Sequence, residues 1–276
     1  MTLFRSRGRR EAGLQTLNDL AEVRALYQAG RYAEAEAGAL SIAAAQKRPH
    51  DEPFAPMALG VAALAAGALG RSDEALATFD ALLPDYDRIF GPDHTMTLKL
   101  RTDRAQALNM LGRHNECEAE CVEVMHLAAR NETPEMPYVV MAALNGQIAA
   151  LNALGNYQAV EGLTRDFLAA HDRVDQFTLV VRLSLTTSLN AQGRHEEAIA
   201  EAERADEIHR SLPAEQRGPE AGAADLATAM ALHGLGRDAE ARPLAAAVHE
   251  ASLTAFGPDN NRTIQALALL TRIDGG

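Results

Sequence analysis

The sequence predicts an all-helical fold of about six antiparallel helix pairs followed by a single C-terminal capping helix. Two patterns predict it: a turn motif that recurs at nearly constant spacing, and apolar positions that fall on one face of a helix. Composition agrees, because 47% of the 276 residues are hydrophobic but only 4% are aromatic and none is tryptophan. Alanine supplies much of the apolar share, which favours helices, whereas sandwiches and barrels need more β-branched and aromatic residues.

The turn motif is a glycine followed by arginine, two variable residues and Glu-Ala or a near equivalent. Successive glycines are 40, 42, 43, 38 and 43 residues apart, and the fourth copy lacks both the arginine and the glutamate. The glycine is expected to end the first helix of a pair, where a left-handed residue is needed. The acid lies in the first turn of the second helix, where it favours the helix dipole. The motif glycines are Gly30, Gly70, Gly112, Gly155, Gly193 and Gly236.

The residues around each turn show which helix faces are buried. Leucine stands four residues before the glycine in five copies, and Ala66 stands there in the second. Small or apolar residues recur five, nine and twelve positions after the glycine, offsets that share one helix face. Since one pair cannot bury both of its faces, neighbouring pairs must stack.

Two cysteines occupy the fifth and ninth of these positions in the third copy. Cys117 and Cys121 are therefore expected to pack as small hydrophobic residues. A metal site with His114 and His126 is the alternative, but no second cysteine pair exists to complete it. The sequence predicts no bound metal and no cofactor.

These patterns resemble the tetratricopeptide repeat. The spacing exceeds the roughly 34 residues of the standard repeat, and it is similar to the long repeats of the kinesin-light-chain kind. Residues 90–98 and 256–264, which both begin Phe-Gly-Pro-Asp, are similar to that variant too. The resemblance covers about residues 14–276 and implies a right-handed solenoid. The aromatic positions of the family are mostly leucine or alanine in this chain.

The predicted organisation is a basic, disordered tail at residues 1–13 and a single repeat solenoid at residues 14–276. The first ten residues contain four arginines and no acid. Three longer connectors, residues 47–56, 130–137 and 210–221, each contain proline and lie between helix pairs.

Charge and motifs exclude several classes of function. The formal net charge is −12, and an acidic surface repels phosphate backbones, so no nucleic-acid partner is expected. No apolar run is long enough to span a membrane, and no signal sequence precedes the repeats. With only two cysteines, a reducing compartment and hence the cytoplasm is expected. Phosphate-binding loops and nucleophile elbows are missing from the sequence, so an enzyme is not predicted.

The resemblance implies that the first helices line a concave groove that binds a protein or peptide. Asparagine stands three residues before the turn glycine in the third, fourth and fifth copies, and its amide both donates and accepts hydrogen bonds. The alternative reading, that asparagine only fills a polar position beside the turn, stays open. The predicted groove residues are Arg24, Tyr27, Lys99, Thr102, Gln106, Asn109, Asn145, Asn152, Thr187, Asn190, Met230 and His233.

The predicted function is therefore that of a scaffold or adaptor without catalytic activity, which binds a protein or peptide partner. Two alternatives remain. One is a regulatory protein that changes conformation when it senses a peptide. The other is a structural protein that assembles with itself through an alanine-rich helix face, for which a homodimer is the expected partner.

Overall fold

The computed structural model of the chain describes residues 2–46, 53–131, 133–258 and 260–275. All regular structure in these residues is helical and no strand occurs among them, so the predicted all-helical fold is confirmed. The helices form two compact units, Met1–Ala150 and Leu151–Gly276. The single array predicted for residues 14–276 stays a prediction.

The helices follow the predicted order of pairs. The first unit contains α1 (Thr2–Gln28), α2 (Tyr32–Ala45), α3 (Phe54–Ala68), α4 (Ser72–Ile89), α5 (Thr95–Met110), α6 (His114–Ala128) and most of α7 (Met136–Ala153). The second contains the end of α7, α8 (Tyr157–Ala170), α9 (Gln176–Ala191), α10 (His195–Ser211), α11 (Ala214–Arg217), a 3-10 turn (Gly218–Glu220), α12 (Ala223–Gly234), α13 (Asp238–Phe256) and α14 (Asn261–Gly275).

Within each unit, the first helix of one pair packs beside the first helix of the next pair. In the first unit the consecutive helices from α1 to α6 pack against one another, and α3 also contacts both α1 and α5. In the second unit α12 contacts both α9 and α14 in the same way. The first helices of successive pairs therefore form a layer in each unit, and the surface of that layer carries the candidate site.

The motif glycines end the first helices as predicted. All six have left-handed backbone angles, with φ between +71° and +85°. At the fifth turn, the Gly193 amide donates to the Asn190 carbonyl at 3.0 Å, and the Arg194 amide donates to the Leu189 carbonyl at 2.9 Å. These two bonds satisfy carbonyls that the helix end would otherwise leave free.

The arginine and glutamate of the motif are partners of one another. In the third copy, Nε and Nη2 of Arg113 donate to the two carboxylate oxygens of Glu116 at 2.7 and 2.6 Å. The fourth copy lacks both residues, and Asn156 replaces them with a side-chain cap: its Oδ1 accepts from the Ala159 amide at 3.4 Å. Equivalent ion pairs are Arg31–Glu34, Arg71–Glu74, Arg194–Glu197 and Arg237–Glu240.

One turn arginine also links two successive pairs of the second unit. Arg194 donates to Glu161 on α8 at 2.6 Å, and Arg165 donates to the same carboxylate at 2.9 Å. The Glu161 side chain is only 17% exposed. Hydrogen bonding from Arg194 is the main cause that lowers the pKa of Glu161 from 4.5 to about 2.

This ion pair predicts a loss of stability in acid. Because the folded pKa of Glu161 is below the unfolded one, its contribution is complete above pH 4.5 and disappears as the pH falls through about 2. We expect Glu161→Gln to remove about 1 kcal/mol of unfolding free energy at neutral pH, since solvent screens part of the pair. Urea unfolding at several pH values measures this, with the exposed Glu203→Gln as control. Equal pH profiles for wild type and Glu161→Gln would refute it.

The small residues predicted to pack are buried in every copy at the fifth and ninth positions after the glycine. Cys117 and Cys121 are both fully buried, and the Cys117 thiol faces the Gly146 carbonyl with 3.6 Å between sulfur and oxygen. Their predicted packing role is confirmed. The other buried residues of this set are Ala35, Ala39, Ala75, Phe79, Val160, Thr164, Ala198, Ala202, Ala241 and Ala245.

Two predicted irregular segments have helical structure instead. Helix α1 begins at Thr2, so residues 2–13 are helical where the sequence predicts a disordered tail at residues 1–13; no proline interrupts the stretch from Thr2 to Gln28. The connector at 210–221 includes α11 and the 3-10 turn. In the connector at 47–56, residues 47–52 lie outside the described residues.

Candidate binding grooves

One concavity of the second unit lies on its layer of first helices. This groove, called here the unit 2 groove, has a volume of about 390 Å³ and is lined from the end of α7, from α9, from α12 and from α14. Its apolar wall consists of Val180, Leu183, Leu226, Met230 and Phe256. Its polar residues include Asn152, Ser184, Thr187, Asn261 and Gln265.

The charged residues of the unit 2 groove neutralise one another. Arg262 donates to the Glu220 carboxylate at 3.1 Å and to the Ala221 carbonyl at 2.9 Å. Its guanidinium carbon also lies 5.9 Å from the ring centroid of Phe256. Because both charges are used within the protein, the groove offers amides and apolar surface to a ligand.

Asn152 carries an unsatisfied hydrogen-bond acceptor in this groove. Among the residues that the structure describes, its side-chain oxygen Oδ1 is buried and accepts no hydrogen bond. The hydroxyls of Ser184 and Thr187 differ, since each donates at 3.0 Å to a carbonyl of its own helix. A buried acceptor without a donor costs roughly 1–3 kcal/mol.

Two smaller concavities of the first unit lie between α1, α3 and α5. The Lys99 groove, about 190 Å³, is lined by Arg24, Tyr27, Lys99, Asp103 and neighbouring apolar residues. The Gln106 pocket, about 280 Å³, is lined by Tyr27, Tyr32, Asp103, Gln106, Met110 and small residues of α3. Tyr27 and Asp103 line both, so the two concavities adjoin.

Asp103 lies between these two concavities and is mostly covered. Lys99 donates to its two carboxylate oxygens at 3.3 and 3.1 Å, and only 17% of the Asp103 side chain is exposed. Burial raises the pKa of Asp103, and the positive charge of Lys99 opposes that rise. Burial, followed by the charge of Asp103, also raises the pKa of Tyr27.

The structure brings seven of the twelve predicted groove residues to these concavities. Asn152, Thr187 and Met230 line the unit 2 groove. The other four line the two concavities of the first unit: Arg24, Tyr27, Lys99 and Gln106. Binding by any of them stays a prediction.

Two of the remaining five residues lie elsewhere because of their helix positions. Thr102 is buried, and its hydroxyl donates to the Lys99 carbonyl of its own helix at 2.7 Å. Asn145 is exposed on α7 and lines none of the three concavities.

The last three predicted groove residues contact side chains on the other side of their own turns. Asn109 Oδ1 contacts His114 Nδ1 at 2.7 Å, and His233 Nδ1 contacts Asp238 Oδ1 at 2.7 Å. Asn190 Oδ1 contacts His195 Nδ1 at 3.2 Å, and its Nδ2 donates to the Ala227 carbonyl of α12 at 3.0 Å. The chain reverses at each glycine, so residues three before and two after it face one another. This agrees with the alternative in which asparagine serves the turn.

Sequence reasoning missed Asp103, Asn261 and Gln265. A signal existed for Asp103, which is four residues after Lys99 and three before Gln106 and therefore shares their helix face. Asn261 and Gln265 share one face of α14 in the same way. The expectation that α14 only caps the repeats left this face out of the predicted groove.

Metal-ligand clusters and membrane-spanning helices are both missing from the parts of the chain that the structure describes. No three His, Cys, Asp or Glu side chains are grouped there as metal ligands. In those same parts, no helix combines the length and the apolar character needed to cross a bilayer.

Comparison with known proteins relates this chain to solved structures only. No protein-family profile matches the sequence, and no curated protein matches it. A single-residue variant of a kinesin-light-chain-like protein with nearly identical TPR-like repeats, from Podosopora anserina, is similar with a TM-score of 0.61 at 20% identity, over 71% of this chain and 95% of that one. A tetratricopeptide repeat protein from Parabacteroides merdae is similar with a TM-score of 0.65 at 13% identity, over 95% of this chain and 85% of that one.

These neighbours agree with the resemblance seen in the sequence. They include the long-repeat kinesin-light-chain kind that the spacing of the glycines predicts. Identities of 13–20% show the fold and leave the partner open. The helix pairs of this chain thus have the tetratricopeptide-type fold.

Proposed function

We propose that this chain is a non-catalytic scaffold that binds a partner protein through an extended peptide segment lying on its first helices. The observation that supports this most is the unit 2 groove, where the buried oxygen of Asn152 lacks a hydrogen-bond donor beside an open apolar wall. An extended peptide supplies a main-chain N–H group as the donor and apolar side chains that can contact the wall. The cytoplasm remains the location that we expect.

The groove suits main-chain recognition because its polar groups are neutral amides. Asn261 and Gln265 of α14 line the same groove as Asn152, and each amide offers a donor and an acceptor. The apolar wall of Leu183, Leu226 and Met230 would take alternate side chains of the peptide. Rigid helices limit the entropy that binding costs.

Asn152→Leu should abolish partner binding without lowering the stability of the fold. Leucine is close to asparagine in size and removes the buried acceptor, so we expect the unfolding free energy to stay the same or rise by about 1 kcal/mol. Urea unfolding followed by circular dichroism measures this. A loss of more than about 1 kcal/mol would mean that Asn152 serves the fold, and the proposal would lose its main support.

The binding test captures partners from native cell extract on immobilised wild type, Asn152→Leu and Asn145→Leu. Asn145 is the matched control, because it is an exposed asparagine outside the three concavities. We expect a discrete protein to be retained by wild type and Asn145→Leu and lost by Asn152→Leu. Equal capture by wild type and both variants would contradict the proposal. Recovery of the same chain from the extract would favour self-assembly instead.

A further inference from the structure

The Gln106 pocket is lined in part by Gly67, where the second repeat lacks a side chain that the other repeats carry. The other copies have tyrosine, asparagine or histidine at this position. In the third, fifth and sixth copies, the residue at the position of Gly67 reaches across its turn. Glycine leaves that space open, and a Cβ atom built there would lie 3.6 Å from the Ala75 side chain.

The pocket has one formal charge. Among its lining residues, all of which the structure describes, Asp103 is the single acidic or basic side chain. Its partner Lys99 belongs to the lining of the Lys99 groove and not to that of the pocket. Since 52% of the Lys99 side chain is exposed, its ammonium can share the carboxylate with a second cation.

Aromatic rings and small apolar groups form the rest of the pocket. The rings of Tyr27 and Tyr32 lie 5.4 Å apart at an angle of 58°, and both are partly exposed. Tyrosine faces attract ammonium and guanidinium groups. Leu64 and the alanines of α3 offer an apolar surface for the aliphatic stem of a long basic side chain.

We propose that the Gln106 pocket binds the side chain of an arginine or lysine on the partner polypeptide, with Asp103 as its counter-ion and Tyr27 and Tyr32 beside the cation. The inference rests on the proposed function, which it makes more specific. A basic side chain fits the charge of the pocket, and it also replaces the solvation that Asp103 loses by its burial. The carboxylate would repel an acidic side chain at that position, and a neutral one would add no counter-charge beyond that of Lys99.

The test uses purified full-length chain with ring-labelled tyrosines, observed by NMR. The probes are Nα-acetyl-L-arginine methylamide, its lysine counterpart and the neutral norleucine counterpart, added at low salt up to millimolar concentrations. We expect saturable shifts of the Tyr27 and Tyr32 signals with the two basic probes and none with norleucine. Shifts that are equal for norleucine, or no saturable shift with either basic probe, would overturn the proposal.

Two variants and one control locate the binding. Asp103→Asn keeps the shape of the side chain and removes its charge, so it should lower the affinity for the basic probes by roughly tenfold. Gly67→Asn gives the second repeat the side chain of its neighbours and should fill the pocket, which keeps the test valid if Asp103→Asn fails to fold. Asp87→Asn, at an exposed carboxylate of α4, should change nothing. Unchanged affinity in both pocket variants would refute the assignment.

This assay can fail separately from the capture experiment. It needs no partner, so loss of the probe signal leaves the result for Asn152→Leu intact. A positive probe signal together with equal capture by all variants would refute the proposed function while leaving the pocket chemistry standing.

Discussion

Phe79→Ala should lower the free energy of unfolding by about 3–5 kcal/mol, because it removes a buried aromatic ring from the core. The ring is 1% exposed and belongs to the main core cluster of the first unit, with Leu82, Leu98 and Leu108 among its members. Every other copy has alanine, cysteine or threonine at this position. The facing helix α3 contributes small residues such as Ala63 to the cluster.

Urea unfolding followed by circular dichroism measures this loss, with Phe79→Leu as the conservative variant. We expect Phe79→Leu to lose clearly less than Phe79→Ala, since most of the buried volume remains. A loss below about 1 kcal/mol for Phe79→Ala would contradict the packing described for α4.

Gly146→Ala should lower the unfolding free energy by about 1–2 kcal/mol although alanine favours helices over glycine. A Cβ atom on Gly146 would lie 2.7 Å from the Cys121 sulfur, which is fully buried. Real Cβ atoms essentially never approach a neighbour so closely, so α6 or α7 must shift. The added methyl group therefore overpacks this contact.

A double-mutant cycle isolates that contact. Cys121→Ala installs the residue that the first, fifth and sixth copies have at this position, and it removes the sulfur. In this background Gly146→Ala should become neutral or stabilising by about 1 kcal/mol, which is the helix propensity of alanine alone. Equal losses with and without Cys121 would show that the two residues are not coupled.

The helix pairs could be predicted from sequence because each depends on one local requirement. A left-handed residue must end the first helix, and only glycine adopts that conformation without strain. Small residues such as Cys117 and Cys121 mark the helix face at which neighbouring helices approach closely. Both requirements repeat about every 40 residues, so the pattern is visible without any knowledge of distant contacts.

The site was harder to predict because it depends on which hydrogen-bond partner within the chain each side chain has. The sequence predicts that Asn109 and Asn190 are available to a ligand. In the structure, however, the side-chain oxygen of each contacts the Nδ1 atom of the histidine five residues later. Asn152 has tyrosine at that offset, and its oxygen is left without a donor among the described residues. The residue two positions after the glycine therefore carried a signal that the first helices alone did not show.

Site-specific photo-crosslinking tests most directly whether a partner polypeptide lies on the first helices of the second unit. Benzoyl-phenylalanine replaces Thr187, which is exposed in the unit 2 groove, or Glu203, which is exposed on the second helix α10. After irradiation in native cell extract, we expect a partner polypeptide to be attached through position 187 and not through position 203. Attachment at position 203 alone, or equal attachment at both, would contradict binding in the groove.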